Sequence, residues 1–544
     1  MPYCYCFDTL VKLLKSKPSN SSKNPTPSLP SGCMKRIFSH VDSKEELFSC
    51  LLVNKYWCKN VLPLLWSNPF KGLESSKDYF KLIRMYLACL DHNELNFLNS
   101  HLKHYNMSLS IPVKPLFDYT SFLEEFSYKR LELGVSFFLR EWHNRDHNID
   151  FKEEIIYYLS SSIYKLFISQ AGNLRSFKID QHFRRLDIPD ILTSSRTQSI
   201  IILSNLTKFQ IDCEKPISDN LNNFLGIMPK FCTRITSMEI KISTFEYKFN
   251  IIQSIGNIIK EQSCLEEFGI TGHHCVEDLM PSLLSKTETL TIVKFENVHF
   301  TECSLSSLAK FKNLNYLKIW YCSGLGSTSC KILLSGEFPN LTRLQLGSDD
   351  QDLTLAFLDK IGNSLKQLGL NVITAETVHA ILTCCEDLLD LQIVDSYYPW
   401  ENPWLFKLFH GLKRLENLSI SISQQQQHHY KKMIQRPRID AYDLPDTLRY
   451  LKLECDLPIQ QLKRFLNLHN EEATPQLSTL IINDSNFNYS HMELISEFVK
   501  KSGTLKVLGI GGQAKLSWRT LRELKILRDK YGLHLIPKKE LCQY

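Results

Sequence analysis

The stretches LNYLKIW (Leu314–Trp320) and LTRLQLG (Leu341–Gly347) contain the pattern that decides the fold, Leu-x-x-Leu-x-(Leu/Ile). The pattern occurs thirteen times, with other apolar residues at some of its three positions, and its copies begin 23 to 33 residues apart. The first positions are Leu174, Leu206, Ile235, Leu265, Leu290, Leu314, Leu341, Leu365, Leu388, Leu415, Leu448, Leu477 and Leu505. Recurrence of this kind indicates a protein built from stacked structural repeats.

Each copy predicts a short strand whose apolar side chains point inward, and helix-like stretches lie between the strands. Those stretches include Phe357–Leu365, Thr377–Cys385, Trp404–Leu412, Gln460–Leu468 and Met492–Lys501. Alternation of strand and helix makes successive strands parallel and places the helices on the outer face. Because the period matches the longer leucine-rich repeats, the sequence predicts an α/β leucine-rich-repeat solenoid, with parallel strands on the concave face and helices on the convex face.

Before the repeats lies a second apolar stretch, LPSGCMKRIFSHVDSKEELFSCLLVNKYWCKNVLPLLW (Leu29–Trp66). Its spacing predicts three short helices, the first from Ser31 to Val41 and the second capped by Ser43. A unit this small buries too little of its own surface to be very stable alone. Its excess of large apolar residues predicts contact with a partner.

This stretch resembles an F-box. The resemblance lies in its opening Leu-Pro, Ile-Phe eight residues later, the segment VNKYW, and the closing Leu-Trp, all in the family's order. Gly32 departs from the family, which usually has an acidic residue there, and glycine lowers helix propensity by about 1 kcal/mol. The first helix is therefore expected to start late or fray. The resemblance implies adaptor contacts for Leu29, Pro30, Ile37, Phe38, Leu51, Leu52, Val53, Trp57, Leu65 and Trp66.

An F-box ahead of leucine-rich repeats resembles the leucine-rich-repeat class of F-box proteins. That resemblance implies a non-catalytic subunit of a ubiquitin ligase of the SCF type, without a cofactor. The F-box would dock a Skp-type adaptor on a cullin scaffold, and the repeats would bind a protein substrate for ubiquitination and proteasomal degradation. The alternative is a repeat scaffold or inhibitor without a ubiquitin role, whose F-box-like helices cap the solenoid.

The sequence divides into five regions. These are a flexible basic N-terminal segment and linker (1–28), the F-box (29–70), a helical linker region (71–170), the solenoid (171–515) and a C-terminal cap (516–544). In the linker region, helical patterns run through Tyr79–Leu90, through Phe122, Phe126, Leu131, Phe137 and Phe138, and through Ile155–Phe167.

Charge and cysteine content bear on the class of partner and on the location of the protein. The formal net charge is +6, and residues 1–40 hold six Lys and Arg against one Asp, so the rest is close to neutral. This argues against a broad nucleic-acid surface. The seventeen cysteines are scattered, odd in number and accompanied by no secretory signal, which predicts reduced thiols in the cytoplasm or nucleus. No apolar run approaches the roughly 20 residues of a membrane helix.

No catalytic or metal-binding motif is evident in the sequence. The glycine-rich segment 509–515 lacks the spacing of a phosphate-binding loop. The cluster His273-His274-Cys275 consists of adjacent residues, which point in different directions and make poor chelates. The sequence therefore predicts binding surfaces rather than an enzyme or a metal site.

The predicted binding surface is the open face of the repeat strands. Residues flanking and between the last two apolar positions should lie there, with Lys294 and several others along the middle. The candidates for substrate contact on this face are Tyr316, Lys318, Trp320, Arg343, Gln345, Asp390, Gln392, Tyr450 and Lys452. Two insertions add to it: the loop Tyr397–Trp404, which carries Trp400 and Trp404, and the segment Gln424–Leu444. Long loops on a rigid scaffold often carry recognition.

Overall fold

The computed structural model describes residues 29–536, apart from 42, 74, 106, 110–114, 143–152, 181–200, 214–218, 243–248, 273–275, 348–350, 396–402, 423–443, 456, 467–475, 485 and 512–515. The predicted segment 1–28, the candidate Trp400 and all but the last residue of the insertion Gln424–Leu444 lie outside the described residues. The chain forms two compact units, residues 1–273 with 281–286 and residues 274–280 with 287–544.

The described residues alternate strand and helix along most of the chain. The helices are α1 (Ser31–Phe38), α2 (Lys44–Leu51), α3 (Lys55–Ser67), α4 (Ser76–Leu87), α5 (His92–Leu102), α6 (Tyr128–Trp142), α7 (Glu153–Gln170), α8 (Asp219–Ile227), α9 (Phe249–Glu261), α10 (Met280–Leu284), α11 (Glu302–Leu308), α12 (Ser327–Leu334), α13 (Gln351–Ile361), α14 (Ala375–Cys384), α15 (Pro403–Gly411), α16 (Ile459–Phe465), α17 (Tyr489–Ser502) and α18 (Trp518–Tyr531).

The strands are β1 (Glu125–Ser127), β2 (Ser176–Asp180), β3 (Lys208–Cys213), β4 (Ser237–Ile242), β5 (Glu267–Thr271), β6 (Ile292–Glu296), β7 (Tyr316–Trp320), β8 (Arg343–Gly347), β9 (Gln367–Leu370), β10 (Asp390–Asp395), β11 (Asn417–Ile422), β12 (Tyr450–Glu454), β13 (Thr479–Ile482), β14 (Val507–Ile510) and β15 (His534–Ile536). Each of the thirteen predicted repeats contributes one strand, β2 to β14.

In the first unit, β1 to β5 form a parallel ladder in which equivalent repeat positions pair. β1 precedes the first predicted repeat, and Phe126 stacks on Phe177 with their ring centroids 5.6 Å apart. The helical prediction for Phe122 and Phe126 is wrong, because Phe122 ends a 3-10 turn (Tyr119–Phe122) and Phe126 lies in β1. Phe126 is instead the inward residue of a short strand, whereas Leu131, Phe137 and Phe138 lie in α6 as the pattern predicts.

The second unit contains a parallel ladder from β6 to β15. Its register keeps the repeat in phase, so that Leu317 pairs with Leu344, and Ile319 with Leu346. These inward side chains are buried, and the helices pack on their neighbours in the series α11 to α15 and α16 to α18. The predicted α/β leucine-rich-repeat solenoid fold is therefore confirmed.

The first three helices follow from local capping signals. The Ser43 hydroxyl accepts from the amide of Glu46 at the start of α2, and the Asn54 side chain accepts from the amide of Trp57 in α3. The expected late start of the first helix is wrong, because α1 begins at Ser31 and includes Gly32. One exposed glycine costs about 1 kcal/mol, which packing of Met34 and Phe38 beneath α1 offsets.

A helical block follows this three-helix unit within the same compact unit. α4 packs on α6, and α7 packs on α5 and α6. Asp180, at the end of β2, accepts from the Ser127 hydroxyl at 2.9 Å and from the Lys129 amide at 3.0 Å, and so caps α6 from the strand ladder. Among the described residues, none of the helices combines the length and apolar character needed to cross a membrane.

Candidate protein-binding surfaces

The three-helix unit exposes three large aliphatic side chains. Leu29 is 52% exposed, Ile37 is 49% exposed and Val53 is 55% exposed. Leu29 precedes α1, Ile37 lies near the end of α1, and Val53 lies between α2 and α3. We refer to these residues as the apolar triad. A contiguous exposed apolar patch marks a partner-binding surface, whereas apolar residues exposed singly are common.

The other predicted adaptor-binding residues divide by burial. Pro30 is exposed, and Leu52 and Trp57 are half-buried. The four remaining predicted residues are buried within the chain: Phe38, Leu51, Leu65 and Trp66. Trp57 packs edge-on to Phe38, with ring centroids 5.1 Å apart. Burial gives these four residues a packing role, a distinction that the sequence left open.

Trp66 joins the three-helix unit to the helical block. Its ring centroid lies 4.2 Å from that of Tyr119 and 5.8 Å from that of Tyr86. Nearby, the Lys44 ammonium donates to the carbonyl oxygen of Lys71 at 2.6 Å. Burial, with smaller contributions from the charges of Lys71 and Arg130, lowers the pKa of Lys44 to about 8. The three-helix unit is therefore packed onto the chain that follows it.

On the open face of β6 to β8, cationic side chains surround the ring of Tyr316. The Arg343 guanidinium carbon lies 5.0 Å from the centroid of that ring, and the Lys294 ammonium lies 6.0 Å from it. The Lys318 ammonium donates to Glu296 Oε2 at 2.9 Å. We refer to these five residues as the basic strand face. Three of them, Tyr316, Lys318 and Arg343, are among the predicted substrate contacts, and Glu296 was not predicted.

A row of amide side chains extends this surface. Tyr316 donates its hydroxyl to Gln345 Oε1 at 2.8 Å, and Gln345 Nε2 donates to Gln392 Oε1 at 2.7 Å. The second bond crosses β9, where Gly369 stands between the two glutamines. A Cβ atom at Gly369 would lie 2.7 Å from Gln345 Cγ. The structure thus brings Tyr316, Gln345 and Gln392 together on one face, as the sequence predicts. The contact between the two glutamines is possible because Gly369 has no Cβ atom.

Trp320 is placed differently from its neighbours. It is only 7% exposed, because its indole lies against Gly347, where a Cβ atom would approach the ring to 2.5 Å. Lys318 lies 5.6 Å from the same ring. Trp320 therefore lies beside Lys318 of the basic strand face and offers little surface of its own.

The remaining candidates on β10 and β12 form a more acidic group. Asp390, Asn417 and Tyr450 are aligned across three strands. Burial raises the pKa of Asp390, and burial with the charges of Asp390 and Glu454 raises the pKa of Tyr450 to about 12. Lys452 pairs with Glu454 at 3.3 Å. The cation in this group is thus already paired with a carboxylate.

Two exposed aromatic residues lie on helices. Trp404, the second residue of α15, is exposed, and the Lys407 ammonium lies 5.7 Å from its ring. Trp518, at the start of α18, is 72% exposed, and Leu521 three residues later is 51% exposed. Trp518 and Leu521 fall in the predicted C-terminal cap, and their exposure is not predicted from the sequence. The sequence feature that indicates this exposure is the i, i+3 spacing of the two residues on a helix rich in arginine and lysine.

Comparisons with known proteins add little beyond the fold. No family model and no curated protein matches the chain. A solved structure of yeast Rad7 in complex with Elc1 is 12% identical, covering 95% of this chain and 99% of that one, with a TM-score of 0.36. An internalin from Listeria monocytogenes is 12% identical over 66% of this chain and 80% of that one, with a TM-score of 0.24.

The leucine-rich-repeat protein LegL7 from Legionella pneumophila is also 12% identical, covering 44% of this chain and 90% of that one, with a TM-score of 0.26. Likenesses at this level carry no functional argument. The fold class rests instead on the parallel strands, the repeat register and the helix layers of the chain itself.

Proposed function

We propose that this protein is a non-catalytic substrate-recognition subunit of a cullin-type ubiquitin ligase. The three-helix unit docks a Skp-type adaptor, and the repeats bind a protein substrate that the ligase ubiquitinates for proteasomal degradation. The observation that carries the proposal is the exposure of the apolar triad, Leu29, Ile37 and Val53, on a unit with the F-box pattern.

Apolar burial supports this assignment. An isoleucine or leucine that is half exposed in the free protein gains stability when a partner covers it, since each Å² of apolar surface removed from water contributes about 25 cal/mol. The buried residues of the same unit, such as Phe38 and Leu65, keep the three helices in place. The unit thus combines a self-packed interior with three exposed aliphatic side chains.

The repeats fit the second half of the role. A row of parallel strands presents an open face whose side chains alternate with the buried ones, and that face carries Tyr316, Arg343 and the amide row. Catalysis would come from other subunits, through proximity to a substrate held on this face. The proposed location is the cytoplasm or nucleus, and the proposed partners include neither nucleic acid nor a membrane.

Binding to a purified Skp-type adaptor tests the proposal. The full-length protein should co-purify with the adaptor, and Ile37→Asp should abolish this, because a charge would be buried at the interface. A known F-box protein serves as the positive control. If the wild-type protein does not bind under conditions where that control binds, the proposal is wrong.

The second candidate function is a repeat scaffold without a ubiquitin role. It is favoured by the packing of Trp66 on Tyr86 and Tyr119, which suits helices that cap a stack, and by the exposed Trp518 of α18, a second apolar surface. Deleting residues 1–70 would uncover Tyr86 and Tyr119, so the repeats should lose stability under both hypotheses. Surface substitutions in the apolar triad separate them, since a scaffold keeps its stability and its partner when the triad is polar.

A further inference from the structure

The side chain of Arg343 is held in place by two contacts within the second unit. Its guanidinium carbon lies 5.0 Å from the centroid of the Tyr316 ring, and its Nε donates to Asn315 Oδ1 at 3.1 Å. Tyr316 is itself held by the hydrogen bond from its hydroxyl to Gln345. Among the described residues, no carboxylate pairs with Arg343. Its terminal nitrogens therefore retain their capacity to donate to a ligand.

Other cations reinforce the positive charge around Arg343. Lys294 and Lys318 stand directly opposite each other on β6 and β7, and Lys318 in turn stands opposite Gln345 on β8. Adjacent strands are only about 4.8 Å apart, and like charges directly opposite on a sheet are unfavourable. The face residues of these three strands include three cations and one carboxylate, Glu296. One of these cations, Lys318, is paired with Glu296 at 2.9 Å, and the three strand faces together keep a net positive charge.

Elsewhere on the described strand faces, several cations are paired with carboxylates. In the first unit, Lys178 lies 3.5 Å from Asp180, and Lys241 lies 3.4 Å from Asp212. On β12, Lys452 pairs with Glu454. Outside the strands, Arg414 pairs with Asp387. The oriented guanidinium of Arg343 and the surrounding excess of cations thus distinguish β6 to β8 from these other parts of the described chain.

We propose that the basic strand face binds an acidic, extended segment of the partner protein, and that Arg343 donates two parallel hydrogen bonds to one of its carboxylates. Arginine is suited to this role because its planar fork matches a carboxylate. Lys318, which is paired with Glu296, lies on the neighbouring strand, and the face of Tyr316 holds the fork in a single orientation, which reduces the entropy lost on binding. This inference rests on the proposed function, since it names the class of substrate that the repeats hold.

A labelled hexaglutamate peptide probes the site directly, with hexaglutamine as the uncharged comparison. Fluorescence anisotropy with the full-length protein should show binding of hexaglutamate that weakens between 50 and 200 mM salt, and no binding of hexaglutamine. Arg343→Gln should weaken hexaglutamate binding by about tenfold or more, the usual effect of losing a charged hydrogen bond. Arg343→Lys, which keeps the charge but loses the fork, should weaken it by about threefold.

The matched control is Arg414→Gln, because Arg414 lies in the same unit but is already paired with Asp387. It removes the same charge and should change the affinity by less than about twofold, as expected for an exposed pair. Circular dichroism confirms that both variants are folded. The inference is overturned if hexaglutamate does not bind the wild-type protein, or if Arg343→Gln and Arg414→Gln weaken binding equally.

The peptide experiment contains no adaptor, so its result is independent of the adaptor experiment. A protein that binds hexaglutamate through Arg343 but binds no Skp-type adaptor would refute the ligase proposal and keep the acidic-peptide site. If the protein binds the adaptor but Arg343→Gln does not weaken hexaglutamate binding, the acidic-peptide site is refuted and the ligase proposal is kept. Replacing the apolar triad should leave hexaglutamate binding unchanged.

Discussion

Replacing the apolar triad by serine in one variant (Leu29→Ser, Ile37→Ser, Val53→Ser) tests the adaptor surface quantitatively. The three side chains are 52%, 49% and 55% exposed. Full burial of an aliphatic side chain contributes about 1.5–3 kcal/mol, so covering the exposed half of each contributes about 0.75–1.5 kcal/mol. The three together account for roughly 2–4.5 kcal/mol of binding free energy.

That free energy corresponds to a dissociation constant about 30 to 2,000 times higher for the triple variant, since 1.4 kcal/mol is a factor of ten. Isothermal titration of the purified adaptor into the full-length protein measures it. Stability should change little, because these side chains already face solvent and exposed substitutions usually alter it by less than about 0.5 kcal/mol. An unchanged unfolding midpoint establishes that any lost affinity comes from the surface.

Leu521→Ser is the matched control. Leu521 is 51% exposed, as the triad residues are, but lies on α18 in the second unit. It should leave adaptor affinity unchanged. The reasoning is refuted if the folded triple variant binds the adaptor within about threefold of the wild-type affinity, or if Leu521→Ser weakens binding as much as the triple variant does.

Three further predictions concern the rest of the chain. Asp180→Ala removes the cap of α6 and should lower the stability of that helix end by about 2 kcal/mol. The Lys129 amide should therefore exchange with solvent about thirtyfold faster. An unchanged exchange rate would contradict this role. Gly32→Glu should stabilise α1 by about 1 kcal/mol, because nothing lies within 4 Å of an added Cβ. The variant should therefore bind the adaptor more tightly. Equal affinity would show that glycine at position 32 does not weaken adaptor binding. Burial raises the pKa of Cys232 to about 12, so this thiol keeps its proton at pH 8. Iodoacetamide should therefore label it far more slowly than the exposed Cys33. Similar labelling rates, measured by mass spectrometry, would contradict the burial of Cys232.

Several features were predictable from sequence because they depend on short-range patterns. The Leu-x-x-Leu-x-Leu spacing fixes which side chains of a strand turn inward, so every predicted repeat from Leu174 to Leu505 contributes one parallel strand to its unit. Capping is equally local, and Ser43 caps α2 as the sequence predicts. The prediction failed where apolar residues were ambiguous, since Phe126 fits a helix pattern and a three-residue strand equally well.

Burial within the three-helix unit required the tertiary structure. Phe38 and Ile37 are neighbours in sequence, yet Phe38 packs on Trp57 and Ile37 faces solvent. Trp66 belongs to the F-box pattern but contacts Tyr119, which is 53 residues away in the sequence. Sequence patterns of this kind identify apolar residues without identifying the atoms that cover them.

The sequence by itself determined the repeat, the parallel order of the strands and the residues that occupy their open face, because each depends on periodicity within one chain segment. Only the tertiary structure decided which of those residues act together. Gln345 meets Gln392 across Gly369, and Arg343 lies against Tyr316 on the preceding strand. These contacts join residues 27 to 47 positions apart, and they form because stacking brings successive strands to within about 5 Å of each other.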